Sequence, residues 1–153
     1  MTRRAAGVLF LATDTGRVLL ATRASLRRYA GTWETFGGSA EPGESPQQTA
    51  AREASEEAGV QVALGSLTPL GVVLRWGIEY HLFLARVSGE FAPQLGREHD
   101  GAAWVPPASP PAPLHPGLAA PLESLAARLT RASAPSRARR EARVSARVNP
   151  RKK

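Results

Sequence analysis

A chain of 153 residues suits a single domain and can bury a core large enough to stand without cross-links. It contains no cysteine, which excludes a disulfide framework, thiol catalysis and a thiolate metal site. The net charge of +7 is unevenly placed: residues 1 to 132 carry 12 Arg against 12 Asp or Glu and sum to zero, whereas residues 133 to 153 carry eight Arg or Lys against one Glu. The chain therefore divides into a neutral globular domain over 1–132 and a basic tail over 133–153, expected to be a disordered extension. Only the tail supports a polycation argument, a weak contact with RNA or DNA, and it has no aromatic residue with which to read bases. No apolar run approaches the ~20 residues of a membrane span, and the N-terminus lacks a secretory apolar region. The expectation is a cytoplasmic protein with no membrane partner.

Residues 5–11 are a short apolar run that predicts a buried strand. Asp14-Thr15-Gly16 makes a turn, and residues 17–22 return as a second strand. A basic loop with Arg27, Arg28 and Tyr29 follows, then a short strand over 33–36 and an irregular loop, Gly37-Gly38-Ser39-Ala40-Glu41-Pro42-Gly43-Glu44. Ser45 is a good N-cap, Pro46 fits the first helical position and Gln48 completes a capping box, so a helix runs from there to Ala58, stopped by Gly59. Strands are predicted over 60–64, 67–75 and 79–87, with Trp76-Gly77 as the turn between the last two. A polar loop over 88–100 leads to a short strand over 102–105, and the prolines of 106–116 exclude regular structure. Leu118, Leu122, Leu125, Ala126 and Leu129 recur at helical spacing and predict an amphipathic helix over 117–130. Strands on both sides of a helix, with a second helix at the end, give an α/β sandwich with a mixed sheet.

The helix after Ser45 carries the chemistry. Ala50, Ala51, Ala54 and Ala58 make one side small enough to lie close against a neighbour. Glu53, Glu56 and Glu57 fall at i, i+3 and i+4 and repel one another by a few tenths of a kcal/mol per pair. They also sit towards the negative end of the helix dipole, where a merely solvated acidic face is poorly placed. Glu44 adds a fourth acid at the helix start. A divalent cation reverses the sign of that account, and hard oxygen ligands on a rigid face suit Mg²⁺ or Mn²⁺ bridging to phosphates. Arg52 among them can fork onto carboxylates and hold them in place.

The stretch from Gly38 through Glu44 to Arg52-Glu53-Ala54-Ser55-Glu56-Glu57-Ala58-Gly59-Val60 resembles the Nudix box of the Nudix (MutT-type) hydrolases. Every charged and glycine position of that pattern is present, and Ala54 stands where the family more often has a larger aliphatic. Weaker resemblance extends over roughly residues 5 to 131. It implies a Nudix-type α/β/α sandwich with a mixed β-sheet, the box helix on one face and the C-terminal helix on the other. It further implies Mg²⁺ or Mn²⁺ as cofactor, with Glu53, Glu56 and Glu57 as metal ligands and Glu44 supporting them through water or by pairing with Arg52. The implied reaction is attack of water on a phosphorus of a small nucleotide's phosphoanhydride, with a carboxylate accepting the proton. That base is either a helix glutamate or Glu98, which lies shortly before Trp104 as a glutamate does in related proteins; an exposed loop acid is an equal reading. Arg52 completes the catalytic set. Arg23, at the end of the second strand, stands where related enzymes place a cation against the substrate phosphates, Arg27 and Arg28 are candidates for the same task, and a surface role is an equal reading for these arginines; the loop glycines Gly37 and Gly38 are the other substrate-binding positions. His99 and Asp100 are weaker candidates, and Trp76, Tyr80 and His81 either line a base pocket or pack. The leading reading is a pyrophosphohydrolase acting on a nucleoside diphosphate linked to another moiety. A nucleotide-sensing binding module and an RNA-end hydrolase compete with it, and retention of all four carboxylates argues against the sensor.

Overall fold

The computed structural model describes residues 2–133. Its centre is β1 (Arg3–Ala12), buried without interruption from Ala6 to Ala12. Such a run has no solvent face, as expected for a strand covered on both sides. β1 pairs in parallel along its whole length with β6 (Ile78–Val87), from Arg3↔Ile78 to Ala12↔Val87. Its other edge is shared. β4 (Phe36–Ser39) takes Ala5 to Val8 in antiparallel register, and β2 (Val18–Arg23) joins at Leu11↔Val18. β2 also pairs with β3 (Trp33–Glu34) and with β7 (His99–Val105), while β5 (Thr68–Arg75) closes the far edge against β6. The result is one seven-stranded mixed sheet, forked where β1 passes from β4 to β2.

Alternation along β1 separates two cores. Val8 and Phe10 face α1 (Pro46–Ala58) in a cluster with Phe36, Phe83, Ala50, Ala54 and Ala58. Leu9 and Leu11 face α2 (Ala119–Ser133) with Leu82, Leu84, Leu118, Leu122 and Leu125. The layers are therefore helix, sheet, helix, as expected. Ala54 is fully buried among the phenylalanines. The caps of α1 form as read: Ser45 accepts from the Gln48 amide, Gln48 answers the Ser45 amide, and Gly59 takes φ 72° while its N–H reaches the Ala54 and Ser55 carbonyls.

Three expectations need correction. Residues 60–63 form no strand and lead into a 3-10 turn over Leu64–Ser66. Val60 and Val62 alternate because they pack onto the first core from an irregular segment, not because a neighbouring strand pairs with them. The loop over 88–100 is shorter than read, since β7 begins at His99 and follows β2 across a bulge at Thr22/Arg23. The short strand over 33–36 divides at Thr35 between β2 and β1, becoming β3 and β4. α2 runs on to Ser133, and the rest of the basic tail lies outside the described residues. Among those residues no helix is long and apolar enough to cross a membrane.

Where β1 meets β4, Gly7 stands opposite Gly37, and the Tyr80 hydroxyl fills the space beside both. A Cβ at Gly7 would run into that hydroxyl and into the Phe36 carbonyl. Gly7→Ala should cost about 1–3 kcal/mol or more, as overpacking does, read as a lower urea midpoint at unchanged slope. Adding Tyr80→Phe should recover only part, because the backbone clash stays. An unchanged midpoint in the single variant would contradict the close approach.

Candidate active site

Arg52 gathers the acids at the front of α1. Its Nε and Nη2 donate to the two oxygens of Glu44 at 2.9 and 3.0 Å, a bidentate fork. Nη1 donates to Glu53 at 3.0 Å and to Glu56 at 3.2 Å, and Nη2 also reaches the Ser39 carbonyl at 2.9 Å. Glu44 receives two further bonds, from the Glu41 amide at 2.7 Å and the Thr49 hydroxyl at 3.1 Å. The Arg52 guanidinium first, then the Glu41 amide, hold the Glu44 carboxyl down at about 2. Glu44 reciprocally pushes the Arg52 pKa up. Glu53 is buried beneath the loop, where a Cβ at Gly38 would lie 2.5 Å from its Oε1. Glu56 points outward, its side chain 57% exposed.

One turn on, Glu57 is differently held. It is buried, the Gly37 amide donates to its Oε2 at 3.1 Å, and its Oε1 has no partner. Burial pushes its pKa well up, and the neighbouring Glu98 carboxyl adds to this. Glu98 is shifted down, first by its neighbour Glu57 and then, against its own desolvation, by Arg27, whose Nη1 is 3.1 Å away. The two carboxyls therefore titrate as a pair, with Glu57 shifted up and Glu98 shifted down. Behind Glu57 runs a buried polar line. His99 Nδ1 lies 4.0 Å from Glu57 Oε2 without a hydrogen bond of its own, and His99 Nε2 donates to Glu34 Oε1 at 2.9 Å. Arg23 Nη1 donates to Glu34 Oε2 at 2.7 Å, and Arg23 Nε to the Arg28 carbonyl at 2.8 Å.

The structure therefore brings Glu44, Arg52, Glu53, Glu56, Glu57 and Glu98 together along α1, with Gly37 and Gly38 against Glu57 and Glu53. Arg23 is committed to Glu34 and to backbone. Glu34 was not singled out by sequence, and His99 only weakly, because partners 65 residues apart leave no local period to read. The Tyr80 hydroxyl sits 3.3 Å from Thr35 Oγ1, and His81 pairs with Glu79 at 2.6 Å.

Among the described residues no three Asp, Glu or His side chains converge as a ready ligand set. The donors nevertheless suit a hard divalent cation. All are carboxylate oxygens, and Glu57 Oε1 is buried and unpaired, a costly arrangement unless something charged meets it. Arg52 supplies the positive charge that Glu53 and Glu56 share here, so either would have to release Nη1 to join Glu57 on a metal.

The fold is an α/β sandwich with its acids gathered on α1, and comparison with known proteins names the family. A family model, the NUDIX domain, matches residues 1–125, and the chain belongs to that family. The CTP pyrophosphohydrolase of Escherichia coli (strain K12) is 33% identical over 92 residues, covering 60% of this chain and 68% of that one. The NAD-capped RNA hydrolase NudC of Pseudomonas aeruginosa is 35% identical over 124 residues, covering 76% of this chain and 42% of that one. A solved Nudix hydrolase from M. smegmatis, RenU, superposes with a TM-score of 0.64 at 31% identity, covering 86% of each chain. The chain spans 26% to 68% of the length of the curated relatives it matches.

The Glu44–Arg52 fork makes a pH signature. A carboxyl held below its ordinary 4.5 stabilises the fold above that value and ceases to do so as pH falls towards 2. Wild type should therefore melt above Glu44→Gln at pH 6, and the difference should close between about pH 4.5 and 2. A gap constant across that range would show that Glu44 acts by packing alone.

Proposed function

We propose that this protein is a divalent-metal-dependent pyrophosphohydrolase that cleaves a phosphoanhydride bond in a nucleoside diphosphate linked to another moiety. The observation that carries the reading is Glu57, a buried glutamate with one unpaired oxygen beside a charged Glu98, on the same helix end as Glu53 and Glu56. A purely structural helix has no use for such a group. The likeness to the E. coli CTP pyrophosphohydrolase supports a nucleotide substrate.

Glu53, Glu56 and Glu57 would hold Mg²⁺ or Mn²⁺, and Glu44 would act through Arg52. Bound metal lowers the pKa of a coordinated water and neutralises phosphate oxygens. The chain's own groups do the rest. Arg52 keeps Glu44, Glu53 and Glu56 from flying apart under their mutual repulsion. Glu57 would release its proton on binding metal, because the ligand is the anionic oxygen. Glu98, held charged by Arg27, is then the oxygen placed to take a proton from the attacking water. The new P–O bond forms as the anhydride P–O bond breaks, and the leaving phosphate carries away the electron pair. Arg27 then steadies Glu98. Arg23 keeps Glu34 and His99 packed behind Glu57, and any contact it makes with phosphate would use the Nη2 not bonded to Glu34.

Glu57→Gln separates function from stability. It keeps the Gly37 contact but can never become the anionic oxygen a metal needs, so kcat should fall on the order of 10²–10⁴-fold. Because the Glu57 pKa is raised in the fold, wild type loses stability as pH climbs above 4.5. At pH 8 with chelator the Gln variant should therefore melt higher than wild type. Millimolar Mg²⁺ or Mn²⁺ should raise the Tm of wild type and shrink that gap. Turnover surviving in full, tested with nucleoside triphosphates, nucleotide sugars and dinucleotides, would end the assignment.

The likeness to the P. aeruginosa enzyme favours a second reading, an RNA-end hydrolase in which the basic residues 134–153 bind the RNA. Deleting 134–153 should leave small-nucleotide turnover nearly unchanged. It should sharply weaken oligonucleotide binding, and full-length binding should fall with log salt at a slope of about −0.7 to −0.9 per phosphate contact. Loss of small-nucleotide turnover on truncation would overturn the division of the chain at residue 132.

A further inference from the structure

Trp76 is in the wrong place for its residue type. Trp76 and Gly77 form the two-residue turn between β5 and β6, with φ of 50° and 72°, and Arg75 pairs with Ile78 across it. A turn with positive φ at both positions calls for Asn-Gly or Gly-Gly. A bulky ring there is strained. Trp76 is also 58% exposed and belongs to neither core, so the fold gains little from it. Among the described residues the other non-glycine with positive φ is Tyr29, at 60°. These two strained residues stack on each other, their ring centroids 5.7 Å apart and their planes within 9°. Arg75 lies 4.4 Å from the Trp76 centroid, and Arg28 lies 5.1 and 5.2 Å from the Tyr29 and Trp76 rings. Neither guanidinium has an ion-pair partner among the described residues.

The cluster adjoins the acid site. Arg27, one residue before Arg28, is the cation beside Glu98, and the Ala24 amide donates to the Glu98 carbonyl at 2.9 Å. Arg23 bonds the Arg28 carbonyl. Tyr29 is therefore two residues from a group that touches Glu98, at most about 7 Å of chain. Arg75 lies over Trp76, Arg28 over both rings and the His115 ring edge-on to Tyr29, so a base stacks here by taking the face that Arg75 covers. A flat aromatic ligand that carries negative charge suits that exchange, because the displaced guanidinium has a phosphate to meet. We propose that Trp76 and Tyr29, flanked by Arg28 and Arg75, form the stacking platform for the nucleobase of a nucleotide whose phosphates lie at Glu57 and Glu98. This rests on the pyrophosphohydrolase reading for where the phosphates lie. It deepens that reading by giving the base its place, and it makes recognition tolerant of base identity, because every base has a π face.

The test uses AMP, which has no phosphoanhydride bond, with ribose 5-phosphate and inorganic pyrophosphate as baseless controls. AMP should quench wild-type tryptophan fluorescence, and the controls should not. Trp76→Asn places the residue the turn prefers, so its Tm should equal or exceed that of wild type. Calorimetry should show its AMP affinity reduced roughly 5- to 100-fold, the span of one lost base–aromatic stack. For any substrate found to be hydrolysed, KM should rise by a similar factor with kcat nearly held. AMP failing to bind wild type at millimolar concentration, binding Trp76→Asn equally well, or binding no better than ribose 5-phosphate would each overturn the platform. If no anhydride is hydrolysed but AMP binding still depends on Trp76, the reaction reading fails and the platform stands. Turnover that stops with Glu57→Gln beside unaltered AMP binding in Trp76→Asn has the opposite meaning.

Discussion

Like charges forced onto one helix face are the constraint on which the rest of the structure depends. Glu53, Glu56 and Glu57 cannot separate while α1 stays helical, and Glu44 is brought to them by the cap at Ser45. A single guanidinium answers three of the four. Because Arg52 is held in turn by the Ser39 carbonyl, the loop before α1 and the helix itself are clamped by one side chain. Glu57 is left outside that arrangement and is met by another acid instead, an unfavourable pairing that, with burial, raises its pKa. Stability and chemistry are thus divided between neighbouring turns of one helix.

The sheet provides the room for this. β4 can bring the Gly37 amide to Glu57 only because Gly7, Gly37 and Gly38 present no side chain where the backbone, the Tyr80 hydroxyl and the Glu53 carboxylate crowd together. Small alanines on α1 bring the helix down onto the same strands. The acids are therefore rigid for ordinary packing reasons, and the fork in the sheet opens beside them.

Local signals in the sequence carried much of this. The caps of α1, the spacing of its acids, the alternation of β1 and the leucines of α2 all depend on near neighbours, and each appears where expected. Elements defined by distant partners were hidden. Val60 and Val62 look like a strand until the absence of a pairing neighbour is seen. His99, Glu34 and Arg23 meet from three strands with no common motif. Trp76-Gly77 was legible as a turn, but the stack with Tyr29 was not, since 47 residues separate the two rings.

The parallel pairing of β1 with β6 has a consequence for the order of events during synthesis. Arg3 waits for Ile78, 75 residues later, before its hydrogen-bond edge is filled. At ordinary translation rates that is about 4–15 s in which the most apolar strand of the chain has been made but cannot pair. β2 and β4 arrive sooner and fill only the opposite edge of β1, each over part of its length. The growing chain is thus most prone to aggregate before β6 leaves the ribosome and the long-range pairing closes the sheet.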